Sequence, residues 1–174
     1  MTTKKNVLSA LLASMAIILG VVEMMLPSPL DFMVGAKLGL SNIVSLVALY
    51  LLGSRPTILI VLLRVLLVAL LIGTMSSLYY SLAGALLSFL VMLTIKKLGR
   101  KKVSIMGVSV MGAVFHHVGQ LAVASLFSRT WLTFNYLPLL SLAGIVTGLI
   151  TGLIAHLLIQ HLTSLQGNLD QNLF

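Results

Sequence analysis

Apolar runs follow one another along almost the whole chain, and they constrain its fold more than any motif does. Proline, glycine and charged residues divide the sequence into six apolar segments, at residues 7–25, 38–53, 56–73, 76–95, 103–127 and 137–161. Only 8% of the residues are charged, against about a quarter in soluble domains. Because a helix satisfies its backbone hydrogen bonds internally, it is the form that crosses a bilayer. The sequence therefore predicts an all-α, polytopic integral membrane protein, a single domain of six transmembrane helices over residues 1–174.

The charges in the loops orient this predicted bundle. With the N-terminus inside, eight Lys and Arg residues fall on the inner side and two, Lys37 and Arg129, fall in outer loops. Since Lys and Arg in short loops favour the cytoplasmic side, we expect both termini to be cytoplasmic. The basic cluster KKLGRKK, residues 96–102, is then chiefly a topology anchor that contacts anionic lipid. Nucleic-acid binding is the weaker interpretation of this charge.

Small residues recur at helical spacing in three of the segments, and such stripes let helices approach closely. Internal packing is the better interpretation of any one stripe. Three together predict a tightly packed bundle and leave open that one face is reserved for a partner. The stripes are Ser9, Ala13, Ala16 and Gly20 in the first segment, Ser81, Gly84, Ala85 and Ser88 in the fourth, and Gly144, Gly148 and Gly152 in the sixth.

A single arginine, Arg64, lies near the middle of the third segment. A guanidinium at that depth costs about 2.5 to 3.5 kcal/mol on insertion scales, so we expect it to face the bundle or a wet cavity. One interpretation is a buried ion pair with Glu23 of the first segment. The other is a clamp on an anionic or carbonyl-bearing ligand, because guanidinium offers planar, forked donors. The two interpretations have similar weight and are compatible.

The fifth segment carries the run FHHVGQ, in which His116 and His117 lie four and three residues before Gln120. On a helix these three side chains form a polar face. Adjacent histidines point about 100° apart, and neither HxxxH nor HExxH occurs, so a metal site is a weak interpretation. No nucleophile and base are paired, so catalysis is not indicated. Either one histidine bonds a neighbouring helix, or these residues line a ligand cavity, which we favour.

Polar groups from four segments fall in the outer half or the middle of the predicted bundle. They are Glu23, the pair Ser41 and Asn42, Arg64 and Gln120. Their convergence predicts a polar cavity that opens outward. The sequence has no GxxxxGK[ST] phosphate loop, so we expect any transport to use energy from a partner.

Four stretches, together with Arg64, resemble the Gx transporter family, which is also described as heptaprenyl diphosphate synthase component I. The family is similar in turn to the substrate-binding S components of energy-coupling factor (ECF) transporters. The resemblance covers nearly the whole chain and implies a six-helix fold, an outward cavity and docking to a transmembrane T component that binds two ATPase subunits. The stretches are GAKLGLSNIVSLVALYLLG (35–53), SLAGALLSFLVM (81–92), GAVFHHVGQLAVASL (112–126) and YLPLLSLAGIVTGLITG (136–152).

The resemblance also implies roles for individual residues. Part of the cavity would be closed by a gating loop after the first helix, and the T component would dock on small residues of that helix. The implied pocket residues are Asn42, Arg64, His116, His117 and Gln120, to which we add Glu23. The implied gating-loop residues are Pro27, Pro29, Asp31 and Lys37, and the implied docking residues are Ser9, Ala10, Ala13 and Ala16.

These features predict an S component of the bacterial cytoplasmic membrane that captures a small vitamin-like molecule and is not an enzyme. Neither a cofactor nor a metal is expected, and a flavin, a phosphate, a carboxylate and an isoprenoid or quinone precursor all remain open as substrates. The rival is an accessory subunit that anchors a soluble prenyl diphosphate or quinone synthase; a metal-uptake subunit is weaker. With three acidic residues in total, the chain lacks aspartate-rich magnesium diphosphate motifs and is not expected to be a prenyl transferase by itself.

Overall fold

A computed structural model describes residues 2–25, 39–99 and 102–171, and all regular secondary structure in these ranges is helical. The all-α prediction is therefore confirmed for this part of the chain. The helices are α1 (Thr2–Met25), α2 (Leu40–Leu51), α3 (Ser54–Ile72), α4 (Met75–Lys97), α5 (Ile105–Ser128), a short 3-10 helix (Trp131–Tyr136) and α6 (Leu137–Gln171).

Five of these helices are long and apolar enough to cross a membrane. The exception is α2, which has 12 residues and so extends only about 18 Å, against a hydrocarbon core of about 30 Å. Its eight buried residues lie on all sides of the helix, because α1, α3, α4 and α6 pack around it. The short second segment is thus the enclosed helix of the bundle.

Local capping explains where several helices begin and end. Thr74 and Ser104 precede α4 and α5, and each side-chain oxygen accepts a backbone N–H three residues later, at 3.1 Å. Arg129 takes a left-handed conformation with φ of 51° and ends α5. The apolar pattern predicted neither the 3-10 helix after it nor the true end of α6. The sixth segment was expected to end at residue 161, but backbone hydrogen bonding continues beyond the apolar stretch and the helix runs to Gln171.

Charged side chains hold both ends of α2. At its C-terminal end, Lys96 Nζ donates to the carbonyl oxygen of Leu49 at 2.5 Å and lies 4.7 Å from the centre of the Tyr50 ring. At its N-terminal end lies Glu23. Each charge complements the partial charge of the helix end that it contacts. One lysine of the predicted topology anchor therefore also joins α4 to α2, a role that the sequence analysis did not foresee.

The small-residue stripes of α4 and α6 pack on opposite sides of α5. A β-carbon built on Gly84 would lie 2.9 Å from the His116 carbonyl oxygen. One built on Gly148 would lie 2.6 Å from the Cα of Val110. Backbone this close leaves room only for hydrogen at the glycine. Internal packing thus accounts for these two stripes.

The stripe on α1 also faces into the bundle toward its C-terminal end. Ala16 is 0% exposed within the main apolar core, and a β-carbon on Gly20 would lie 2.8 Å from a methyl carbon of Val68 on α3. The core covers Ala16 in this packing, and the docking role that the family resemblance implies for this residue stays a prediction. Ser9 and Ala13 are half-buried, whereas Ala10 is exposed.

Candidate functional site

The carboxylate of Glu23 binds the N-terminus of α2. One oxygen accepts the backbone N–H of Gly39, and the other accepts the Ser41 hydroxyl at 2.9 Å and its N–H at 3.4 Å. Gly39 has φ of 77°, a left-handed conformation that glycine adopts without steric cost. Since the first N–H groups of a helix lack partners within it, a carboxylate from α1 satisfies them and favours the positive end of the helix dipole. By holding Ser41, Glu23 also fixes the position of the residue that follows Ser41, Asn42.

Arg64 reaches this helix from α3 and is 5% exposed. Its Nη1 donates to the Asn42 Oδ1 atom at 3.4 Å, a long hydrogen bond. The predicted direct ion pair with Glu23 is not formed among the described residues, because the carboxylate oxygens of Glu23 bond the N-terminus of α2 instead. The Asn42 side chain thus bonds Arg64, and the residue before it, Ser41, bonds Glu23.

Two neighbouring cavities lie beside this arginine. The first has a volume of about 40 Å³, with polar walls from α1 to α5 and apolar walls from α1 and α3. The second has a volume of about 10 Å³ and extends between α4, α5 and α6. Gly39, Asn42 and His116 line both. Polar residues in the first cavity are Glu23, Ser41, Asn42, Arg64, Ser77, Ser81 and His116.

The two histidines of α5 lie side by side, with ring centres 6.2 Å apart and planes at 82°. His117 Nδ1 lies 3.2 Å from Gln120 Oε1, and because an amide oxygen only accepts, this nitrogen is the donor. Gln120 is 1% exposed, and no described residue is a hydrogen-bond partner of its Nε2 atom. Such a buried, unused donor is costly in a folded protein and is a common feature of binding sites.

Further polar residues surround the second cavity, and the sequence analysis did not select them as site residues. Ser88 is 1% exposed, and its hydroxyl has no hydrogen-bond partner in the part of the chain that the structure describes. Ser109 of α5 and Thr151 of α6 are hydrogen-bonded at 2.9 Å. The small-residue stripes contain Ser88, so close helix packing was the signal present in the sequence, but only the three-dimensional arrangement shows that its hydroxyl faces a cavity.

Comparison with known proteins identifies the family. The sequence profile of the family described as Heptaprenyl diphosphate synthase component I matches residues 12–158, most of the chain. The chain belongs to this family. Searches of curated proteins and of solved structures gave no significant match.

In this component I chain, the predicted pocket residues come together. Glu23, Asn42, Arg64 and His116 line the first cavity, and His117 lines the second. Gln120 adjoins them through its bond to His117. The predicted gating-loop residues, Pro27, Pro29, Asp31 and Lys37, lie outside the described residues.

Charged and hydrogen-bonding groups define the chemistry of the component I site. Its described charges are one carboxylate and one guanidinium, and the carboxylate is engaged by α2. Within the described ranges, no three His, Cys, Asp or Glu side chains lie close enough together to hold a metal ion. Hydrogen bonding and charge are therefore what the described residues of this site offer to a ligand.

Proposed function

We propose that this chain is the substrate-binding S component of an ECF-type transporter and that the polar site captures its substrate. The observation that supports this most is the convergence of Glu23, Asn42, Arg64 and His116, from four helices, on a cavity inside an otherwise apolar bundle. Buried ionisable residues in membrane helices are costly, and they commonly mark substrate pathways. In this proposal the chain lies in the bacterial cytoplasmic membrane with both termini inside.

Binding of a vitamin-sized molecule would require the cavity to open. Small-molecule sites have volumes of about 300 Å³ or more, whereas the two cavities measure about 40 and 10 Å³. The segment 26–38 joins α1 to α2. Glu23 precedes this segment, Gly39 follows it, and both residues line the first cavity. The family resemblance implies a gating role for Pro27, Pro29, Asp31 and Lys37 of this segment, which lie outside the described residues.

The second candidate function is an accessory membrane subunit of prenyl diphosphate synthesis. The family description favours it, because a synthase component I implies a further component. The identity of the partner protein distinguishes the two candidate functions. Gentle extraction of the chain from its native membrane, followed by mass spectrometry of the proteins that co-purify, should recover a T component and two ATPase subunits. Recovery of a soluble prenyl synthase chain without ATPases would instead support the accessory role.

Docking to the T component is expected to use the exposed face of α1. Ala10 and Ser14 are exposed small residues four positions apart, a spacing that allows close approach by a partner helix. We expect Ala10→Leu to reduce recovery of the T component at least ten-fold and to leave folding intact. Co-purification of tagged variants measures this.

Ala122→Leu is the matched control, because Ala122 is an exposed alanine on α5. This variant should retain the T component at the level of the unmodified chain. Equal recovery with Ala10→Leu and Ala122→Leu would mean that the partner does not dock on this face of α1.

A further inference from the structure

We propose that the site binds the carboxylate of a singly charged acid that has an apolar body. This deepens the proposed function, on which it rests, by naming the class of substrate.

The amide and carboxylate oxygens of the site are already engaged within the protein. Both oxygens of Glu23 accept from the start of α2. Asn42 Oδ1 accepts from Arg64, and Gln120 Oε1 accepts from His117. These groups therefore offer a ligand little capacity to accept hydrogen bonds.

Donors, in contrast, remain unused in the same groups. A guanidinium carries five N–H donors, and the described contacts of Arg64 engage one of its nitrogens, Nη1. Gln120 Nε2 is buried and has no hydrogen-bond partner among the described residues. The Asn42 side chain lines both cavities, and its described bond uses only the oxygen. A site with spare donors and occupied oxygens is complementary to a ligand that accepts hydrogen bonds.

The charge balance selects one negative charge. Arg64 is almost fully buried, and no carboxylate of the described residues contacts it. A buried charge is favourable only when it is paired and hydrogen-bonded. Apart from Arg64 and Glu23, no Asp, Glu, Lys or Arg of the described residues lines either cavity. One carboxylate would neutralise Arg64 and accept its forked donors in bidentate geometry. A diphosphate would bring about three charges to a single cation.

The walls of the first cavity define the rest of the ligand. Val65, Val68 and Ala69 of α3 and Met24 of α1 lie beside the polar groups. An apolar body would contact these side chains while the carboxylate faces Arg64. The ligand class is thus an amphipathic monocarboxylate.

The test measures the thermal unfolding midpoint of the purified full-length chain with three probes at equal ionic strength: butyrate, butyramide and inorganic pyrophosphate. Several-fold above its dissociation constant, butyrate should raise the midpoint by about 3 °C. Butyramide should have a smaller effect and pyrophosphate none. A pyrophosphate shift equal to or larger than that of butyrate, or no shift with butyrate, would overturn the proposal.

Arginine variants assign the effect to the site. Arg64→Gln should abolish the butyrate shift, and Arg64→Lys, which keeps the charge but loses the fork, should weaken butyrate affinity at least ten-fold. Arg129→Gln removes an exposed arginine and should respond like the unmodified chain. Persistence of the shift in Arg64→Gln would refute the proposal. Because no partner subunit takes part, failure to recover a T component would refute the transport function without changing this result.

Discussion

Replacement of Gly119 by alanine is expected to destabilise the protein by about 2 to 3 kcal/mol, the cost typical of overpacking a close-packed interior. A β-carbon at this position would lie 2.6 Å from the carbonyl oxygen of Ala83, 2.8 Å from its carbonyl carbon and 2.9 Å from the Cα of Gly84. All three are backbone atoms, so no side-chain rotation relieves the overlap and α4 must move away from α5. Unfolding by heat or denaturant in detergent measures the loss.

A second effect should accompany this loss of stability. Gly119 lies next to Gln120, and Gly84 packs against His116 and Gln120 across the same interface. Separation of α4 from α5 should therefore enlarge the site and weaken the butyrate response as well. A variant that is destabilised but binds butyrate normally would show that the site tolerates this displacement.

The matched control lies on the same helix. A β-carbon on Gly107 would meet only side-chain atoms, at 3.0 Å from a methyl carbon of Val103 and 3.6 Å from Ser104 Oγ. Because alanine favours helix over glycine by roughly 1 kcal/mol, Gly107→Ala should be neutral or stabilising. Similar destabilisation by both substitutions would contradict the close approach of α4 and α5 at Gly119.

Hydropathy predicted the helices well because each apolar run and its punctuation are local features of the sequence. The predicted segment 56–73 became α3 at Ser54–Ile72, and 103–127 became α5 at Ile105–Ser128. The 3-10 helix and the extra turns of α6 were missed, since neither depends on an apolar run. Length alone indicated that the second segment was unusual, but the burial of α2 on all sides depends on how the other helices pack.

The sequence predicted which residues lie at the site but not which groups they bond. A charge or an amide within an apolar helix is visible in one sequence, and these residues do meet. Their partners depend on distances between helices. Glu23 seemed to be the natural partner of Arg64, yet the N-terminus of α2 lies closer and has unsatisfied N–H groups. Lys96 and Ser88 were missed for the same reason, since a carbonyl or a cavity on another helix gives no local signal.

Glutamine in place of Glu23 is expected to destabilise the protein by about 2 to 4 kcal/mol, because buried hydrogen bonds to a charged group are strong and an unsatisfied donor is costly. The carboxylate receives hydrogen bonds on both oxygens from Gly39 and Ser41. A glutamine side chain keeps one acceptor oxygen, but its NH₂ group, itself a donor, would face one of the two groups that now donate to the carboxylate. The favourable interaction with the helix dipole is also lost. Chemical unfolding measures the change.

Comparison with Lys96→Met separates the role of Glu23 in the site from its role in stability. Lys96 holds the opposite end of α2, so its loss should also lower stability. The Lys96→Met variant should nevertheless keep the hydrogen bond between Arg64 and Asn42 and keep the butyrate shift. Glu23→Gln should weaken that shift, because Asn42 lies just beyond the N-terminus that Glu23 fixes. If both variants lose the shift equally, α2 acts as one unit and Glu23 has no particular role in positioning the site. If Glu23→Gln is as stable as the unmodified chain, its carboxylate does not hold α2.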